Sequence, residues 1–176
     1  MTKYIAFLRG INAGFKIKMT DLKKLFEDLG FENVRTVLAT GNVLFETNSK
    51  NVSLLEEQIE KAIGKKYGYN SKAFVRTEEE LEKLIKADPF KKVKVTPATV
   101  PQVTYFKGVA EKEKYPVKGK GFVILGVVDQ AVCSVIDLTG ASTVDLMAVL
   151  DKQFNKQTTT RNWRTLGKIY NATKPQ

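Results

Sequence analysis

The order in which two hydrophobic periods alternate along the first half of the chain leaves few folds open to it. Residues 4–8 (YIAFL) form an apolar run of the length of a strand buried on both faces. A glycine-bearing loop, residues 9–18, leads to a helical pattern over 20–29, in which Met19, Leu22, Leu25, Phe26 and Leu29 share one face. Thr20 is placed to cap this helix and Gly30 to end it. Residues 34–39 and 43–47 read as strands around the turn Thr40-Gly41-Asn42. Ser53 and Glu56 have capping-box spacing, and the helix they open turns Leu55, Ile59, Ala62 and Ile63 inward. Residues 72–76 make a fourth strand. Thr77 and Glu80 form a second capping box, ahead of a short helix with Leu81, Leu84 and Ile85 on one face, stopped by Asp88-Pro89. The order is β-α-β-β-α-β plus a helix, the ferredoxin-like arrangement of two interleaved split βαβ units.

Three of the five prolines fall within residues 88–102, which marks a junction. The pattern then repeats more faintly: a strand over 103–107, a short helix over 109–115, and strands over 121–128 and 131–138 joined at Asp129-Gln130. A helix over 142–154, a short strand over 157–160 and a final helix over 161–171 follow. The predicted fold class is therefore α+β, with two tandem ferredoxin-like βαββαβ subdomains, each followed by an extra helix. They occupy residues 1–88 and 103–176, with a proline-containing linker over 89–102.

The chain has 176 residues, no histidine and one cysteine, Cys133. That excludes Ser-His-Asp and Cys-His catalysis, His-ligated metals, intrachain disulfides and Cys-rich zinc or iron–sulfur sites, so neither a metal nor a cofactor is expected. No apolar run approaches the ~20 residues of a membrane span, and the N-terminus lacks a signal-peptide pattern. A reducing cytoplasmic location without a membrane partner is the expectation. The net charge of +10 is uneven: residues 1–88 carry 15 basic and 13 acidic residues, residues 89–176 carry 14 and 6. Such asymmetry suits an anionic partner, while a Lys-rich surface also serves solubility alone.

In a ferredoxin-like unit the loop after the first strand, the start of the first helix and the hairpin between strands two and three share one end of the sheet. Arg9, Asn12, Lys16 and Lys18 are thus expected near Thr40, Gly41 and Asn42. A helix N-terminus offers unpaired N–H groups and partial positive charge, and lysines beside it make sense if an anion sits between them. Gly10 and Gly41 equally serve turn geometry, and their spacing fits neither phosphate-binding glycine motif. A second stretch, TTTRNWRTLGK, places Arg161 in the first turn of the last helix, with Arg164 and Lys168 on the same face. Asn162 lies between them, and Trp163, Leu166 and Tyr170 share another face, with Trp163 packing into the core. The glutamates at 78, 79, 80 and 82 are ordinary helix-start electrostatics, and no catalytic acid or base stands out.

These segments resemble a known family. RGIN with its Lys-rich loop, then LGFENVRT, a GNVLF hairpin, FVRT, PF, and TTRNWRT near the end, in that order, look like domain of unknown function 1697, a widespread bacterial family of uncharacterised proteins. Arg9, Gly10, Asn12, Gly41, Asn42, Arg161, Asn162 and Trp163 match its motifs; Ala13 and Phe15 depart from its usual RGINVGG. The resemblance implies a two-part α/β fold and no activity.

Two functions fit. The first is binding of an anionic partner, nucleic acid above all, through the basic loops and C-terminal helix. The second is an enzyme or binder for a phosphorylated or carboxylated small molecule in a cleft between the subdomains, using Arg9, Asn12, Asn42, Arg161 and Asn162 without metal or histidine.

Overall fold

The computed structural model of the protein describes residues 1–11, 16–140 and 143–175. The described residues form a mixed α+β structure with two antiparallel sheets and five α-helices. They divide into two compact units, residues 1–83 with 169–176, and residues 84–168.

The first unit holds β1 (Thr2–Arg9), α1 (Met19–Asp28), β2 (Glu32–Thr36), β3 (Asn42–Thr47), α2 (Val52–Tyr67) and β4 (Lys72–Thr77). Its sheet has the order β2-β3-β1-β4, antiparallel throughout. Alternation turns Tyr4, Ala6 and Leu8 into a core with Leu22 and Phe26 of α1 and Leu55 and Ile59 of α2. Ile5 and Phe7 point the other way and are equally buried, which is why the run is apolar throughout rather than alternating. Phe45 anchors this core, stacked on Phe31 at 4.5 Å and edge-on to Phe26 at 5.6 Å.

Helix ends depart from expectation in two places. α1 begins at Met19 with Lys18 at the N-cap and no side-chain cap, so Thr20 is already inside the helix. α2 is capped by Asn51, whose side chain accepts from the Leu54 N–H at 3.0 Å. Ser53 lies within the helix, and Glu56, the other half of the expected capping box, has a different use. β4 is an edge strand, and Glu56 Oε1 accepts from its Val75 N–H at 2.9 Å. Glu60 takes the Ala73 N–H at 2.9 Å. The Thr77 N–H goes to Glu80 at 2.7 Å, within the second capping box, which is present as expected. Alternate outward-facing donors of the edge are thus all occupied by carboxylates. Arg76, 3.5 Å from Glu56, and Lys72, 3.6 Å from Glu60, balance the charge.

α3 (Glu78–Ala87) runs from the first unit into the second, which continues with β5 (Thr99–Phe106), β6 (Val117–Gly119), β7 (Phe122–Val128), β8 (Ala131–Asp137), α4 (Thr143–Gln153) and β9 (Thr158–Asn162). α5 (Trp163–Thr173) leads back to the first unit. The second sheet has the order β6-β7-β8-β5-β9. Its core packs Phe106, Ile124, Val132 and Ile136 against Leu146, Leu150 and Phe154. The helix expected over 109–115 is absent. That stretch has no apolar face, its Val109 is 91% exposed, and only a 3₁₀ turn at Lys112–Lys114 precedes the extra edge strand β6. β5 starts four residues earlier than expected and includes Pro101. β9 pairs with it only from Gln102 onward, so Pro101 falls where β5 has a neighbour on one side alone.

Burial pushes the Cys133 thiol up to about 12 from 9.0. The folded value exceeds the unfolded one, so the stability linked to this thiol is complete below the unfolded value and fades as pH rises toward the folded one. Iodoacetamide at about pH 9 is expected to leave the native thiol unmodified and to alkylate it fully in denaturant, as read by mass spectrometry. Equal rates in both states would contradict its burial.

Candidate functional site

β1 and β2 are both antiparallel to β3, so the loop after β1 and the β2–β3 hairpin lie at one end of the first sheet. The Leu8 N–H donates to the Gly41 carbonyl at 2.8 Å. Gly10 and Gly41 have φ of 79° and 75°, the left-handed region that glycine tolerates. Asn42 is fully buried. Its Nδ2 donates to the Val37 carbonyl at 3.0 Å and to Thr40 Oγ1 at 2.8 Å, so both amide hydrogens lock the hairpin. The Arg9 carbonyl accepts from Ser71 Oγ at 2.7 Å, and the Arg9 side chain is half-buried. Thr40 is exposed, as are Lys16 and Lys18 immediately ahead of α1. Asn12 lies outside the described residues.

The second stretch is rearranged. Arg161 belongs to β9, opposite Val103, and not to the first turn of a helix. The helix starts two residues later because Asn162 Oδ1 accepts from the Thr165 N–H at 2.8 Å, the bond of an N-cap. Strand alternation sends Arg161 and Asn162 to opposite faces of the sheet. Arg161 Nη1 donates to Thr159 Oγ1 and the Thr160 carbonyl, each at 2.9 Å. Burial pushes its guanidinium down to about 10, against the opposing pull of Tyr105. The expected three-residue stripe therefore reduces to Arg164 and Lys168, one turn apart and exposed on α5. Trp163, partly buried, packs edge-on against Phe90 at 5.0 Å.

At the other end of the first sheet opens a cavity of about 620 Å³, whose charged lining includes Lys3, Arg35, Glu46, Glu78 and Lys174. None of these residues stands out in the sequence as a site residue. Strand alternation does put Lys3 with Ile5 and Glu46 with Leu44, but the part played by residues 173–175 has no local signal. No helix of the described residues is long and apolar enough to cross a membrane.

The family described as protein of unknown function, DUF1697, matches residues 1–117. A solved structure of a conserved bacterial protein from Streptococcus pneumoniae is similar over 99% of both chains, with 21% identity and a TM-score of 0.74. At that identity the likeness concerns the fold. No curated protein matches the sequence.

Proposed function

We propose, for a chain that belongs to the DUF1697 family of proteins of unknown function, that it binds the phosphate backbone of nucleic acid through α5 and the basic surface of its second unit. The observation that carries this reading is Arg164 with Lys168, exposed one turn apart on a helix that contains no acidic residue. Residues 84–168 add to it with 14 basic and 7 acidic side chains. Base stacking on a sheet is disfavoured, because Tyr105, Phe106 and Phe122 are buried. The contacts would be electrostatic and insensitive to sequence. Lys16, Lys18 and Thr40 form a second candidate contact on the first unit. Asn42, Arg161 and Asn162 are left out, since their polar atoms serve the hairpin, the strand and the helix cap. We also read both units as ferredoxin-like: the strand order β2-β3-β1-β4 of the first reappears as β7-β8-β5-β9 in the second, with β6 added at its edge.

Fluorescence anisotropy with labelled single- and double-stranded DNA and RNA over a salt series tests the reading. Binding is expected to weaken linearly in log–log form. Replacing Arg164 and Lys168 together by glutamate should reduce the duplex DNA slope by roughly 0.9 for each phosphate that is no longer neutralised. Absence of binding at low salt, or a double variant with unchanged slope, would sink it. Arg161→Glu is a poor probe, because it buries a carboxylate against the strand.

A further inference from the structure

We infer that the cavity of the first unit binds a small zwitterion of the amino-acid class, one that carries a carboxylate and an ammonium group. About 620 Å³ is within the usual size of small-molecule pockets. Its floor is the apolar pair Ile5 and Leu44, neighbours across the β1–β3 ladder. Further along the same ladder Lys3 stands opposite Glu46. Arg35 of β2 pairs with Leu44 from the other side. Cations and carboxylates thus stand together over an apolar floor, whereas a site for a plain anion would carry cations alone.

The lining carries four cations against three carboxylates, and the pairs around Glu78 are long. Glu78 lies 3.6 Å from Lys3 Nζ and 3.6 Å from Lys174 Nζ. Those separations hold ion pairs but exceed the 2.7–3.2 Å of an N–H···O hydrogen bond. A ligand carboxylate can therefore enter between the ammonium groups and accept from them at shorter range. Arg35 uses Nη2 on the Ala172 carbonyl at 2.8 Å, which fixes the guanidinium at the cavity wall. Glu46, half-buried in the lining, has no ion-pair partner among the described residues and faces the ligand as an acceptor for its ammonium. The wall at Lys174 is held in place from behind: Tyr170 donates to Glu82 at 2.8 Å, and Lys174 Nζ lies 4.2 Å from the Tyr170 ring centroid.

Titration of the intact ¹⁵N-labelled protein tests this with four probes: L-alanyl-L-alanine, L-glutamate, succinate and inorganic phosphate. The two zwitterions are expected to shift the amides of Ile5, Leu44, Arg35 and Lys174 in a saturable manner. Succinate and phosphate should bind at least about tenfold more weakly, a difference of about 1.4 kcal/mol. Glu46→Gln should erase that preference while leaving the spectrum folded, and Lys3→Ala should weaken every probe that carries a carboxylate. Succinate or phosphate binding as tightly as the zwitterions would overturn the inference. So would shifts confined to other residues, a Glu46→Gln variant that keeps the preference, or no saturable shift with any probe. The nucleic-acid reading rests on different residues and stands or falls separately.

Discussion

Glu56→Ala is expected to lower the unfolding free energy by about 3–5 kcal/mol, the range for removing one partner of a buried ion pair. Glu56 and Arg76 are only 7% and 6% exposed. Without the carboxylate the guanidinium loses the Glu56 counter-charge in a site shielded from water. The Val75 N–H loses its acceptor as well, a cost of about 1–3 kcal/mol taken alone. Both losses run through one oxygen and do not simply add. Glu60→Ala is the informative comparison. Its Lys72 partner is 40% exposed, so the ion pair contributes at most about 1 kcal/mol. Urea unfolding of the three proteins measures the difference, and native-state hydrogen exchange at Val75 should accelerate in Glu56→Ala. A loss below about 1 kcal/mol for Glu56→Ala would mean that water reaches Arg76 and that the pair is not buried in solution.

Gly41→Ala is expected to destabilise by about 2–5 kcal/mol, from two sources that act together. A non-glycine residue at φ of 75° costs roughly 1–2 kcal/mol. The new Cβ would also stand 3.1 Å from Ile11 Cβ and 3.2 Å from Leu8 Cβ, close enough to add overpacking of about 1–3 kcal/mol. Leu8 cannot yield easily, since its N–H is bonded to the Gly41 carbonyl and its side chain is in the core. Gly10→Ala is the control: its φ is 79°, but nothing lies within 4 Å of its Cβ position. Only the backbone cost should remain. Equal losses for the two variants, read from thermal unfolding, would remove the steric part of the argument.

The first unit is legible in the sequence because its elements carry local signals: a run, a helical face, a glycine stop. Those signals do not distinguish between two uses of one residue type. Ser53 and Glu56 have capping-box spacing, yet Asn51 caps the helix and Glu56 serves a strand brought beside it only by folding. The second unit is harder. Residues 109–115 contain good helix formers but no apolar stripe to bury, and composition alone does not make a helix. Asn162 reads as a polar residue at a helix start, but its capping role moves that start and leaves Arg161 on a strand. Among the candidate site residues, the sequence shows which are polar and near one another. It does not show which hydrogens the fold itself consumes, as it does at Asn42. The cavity is hidden for the opposite reason: its residues come from separate strands, from α1 and α3 and from the end of α5, and nothing between neighbours in sequence announces them.

The make-up of the two units also sets an order of assembly on the ribosome. The second unit is one continuous stretch, residues 84–168, whereas the first needs residues 169–176 to be complete. During synthesis, until residues 169–176 emerge, the Arg35 guanidinium lacks the Ala172 carbonyl and Glu82 lacks Tyr170. A chain truncated after Lys168 and released from the ribosome should hold a finished second unit and a first unit more open to protease, inverting the usual N-terminal-first sequence of domain completion.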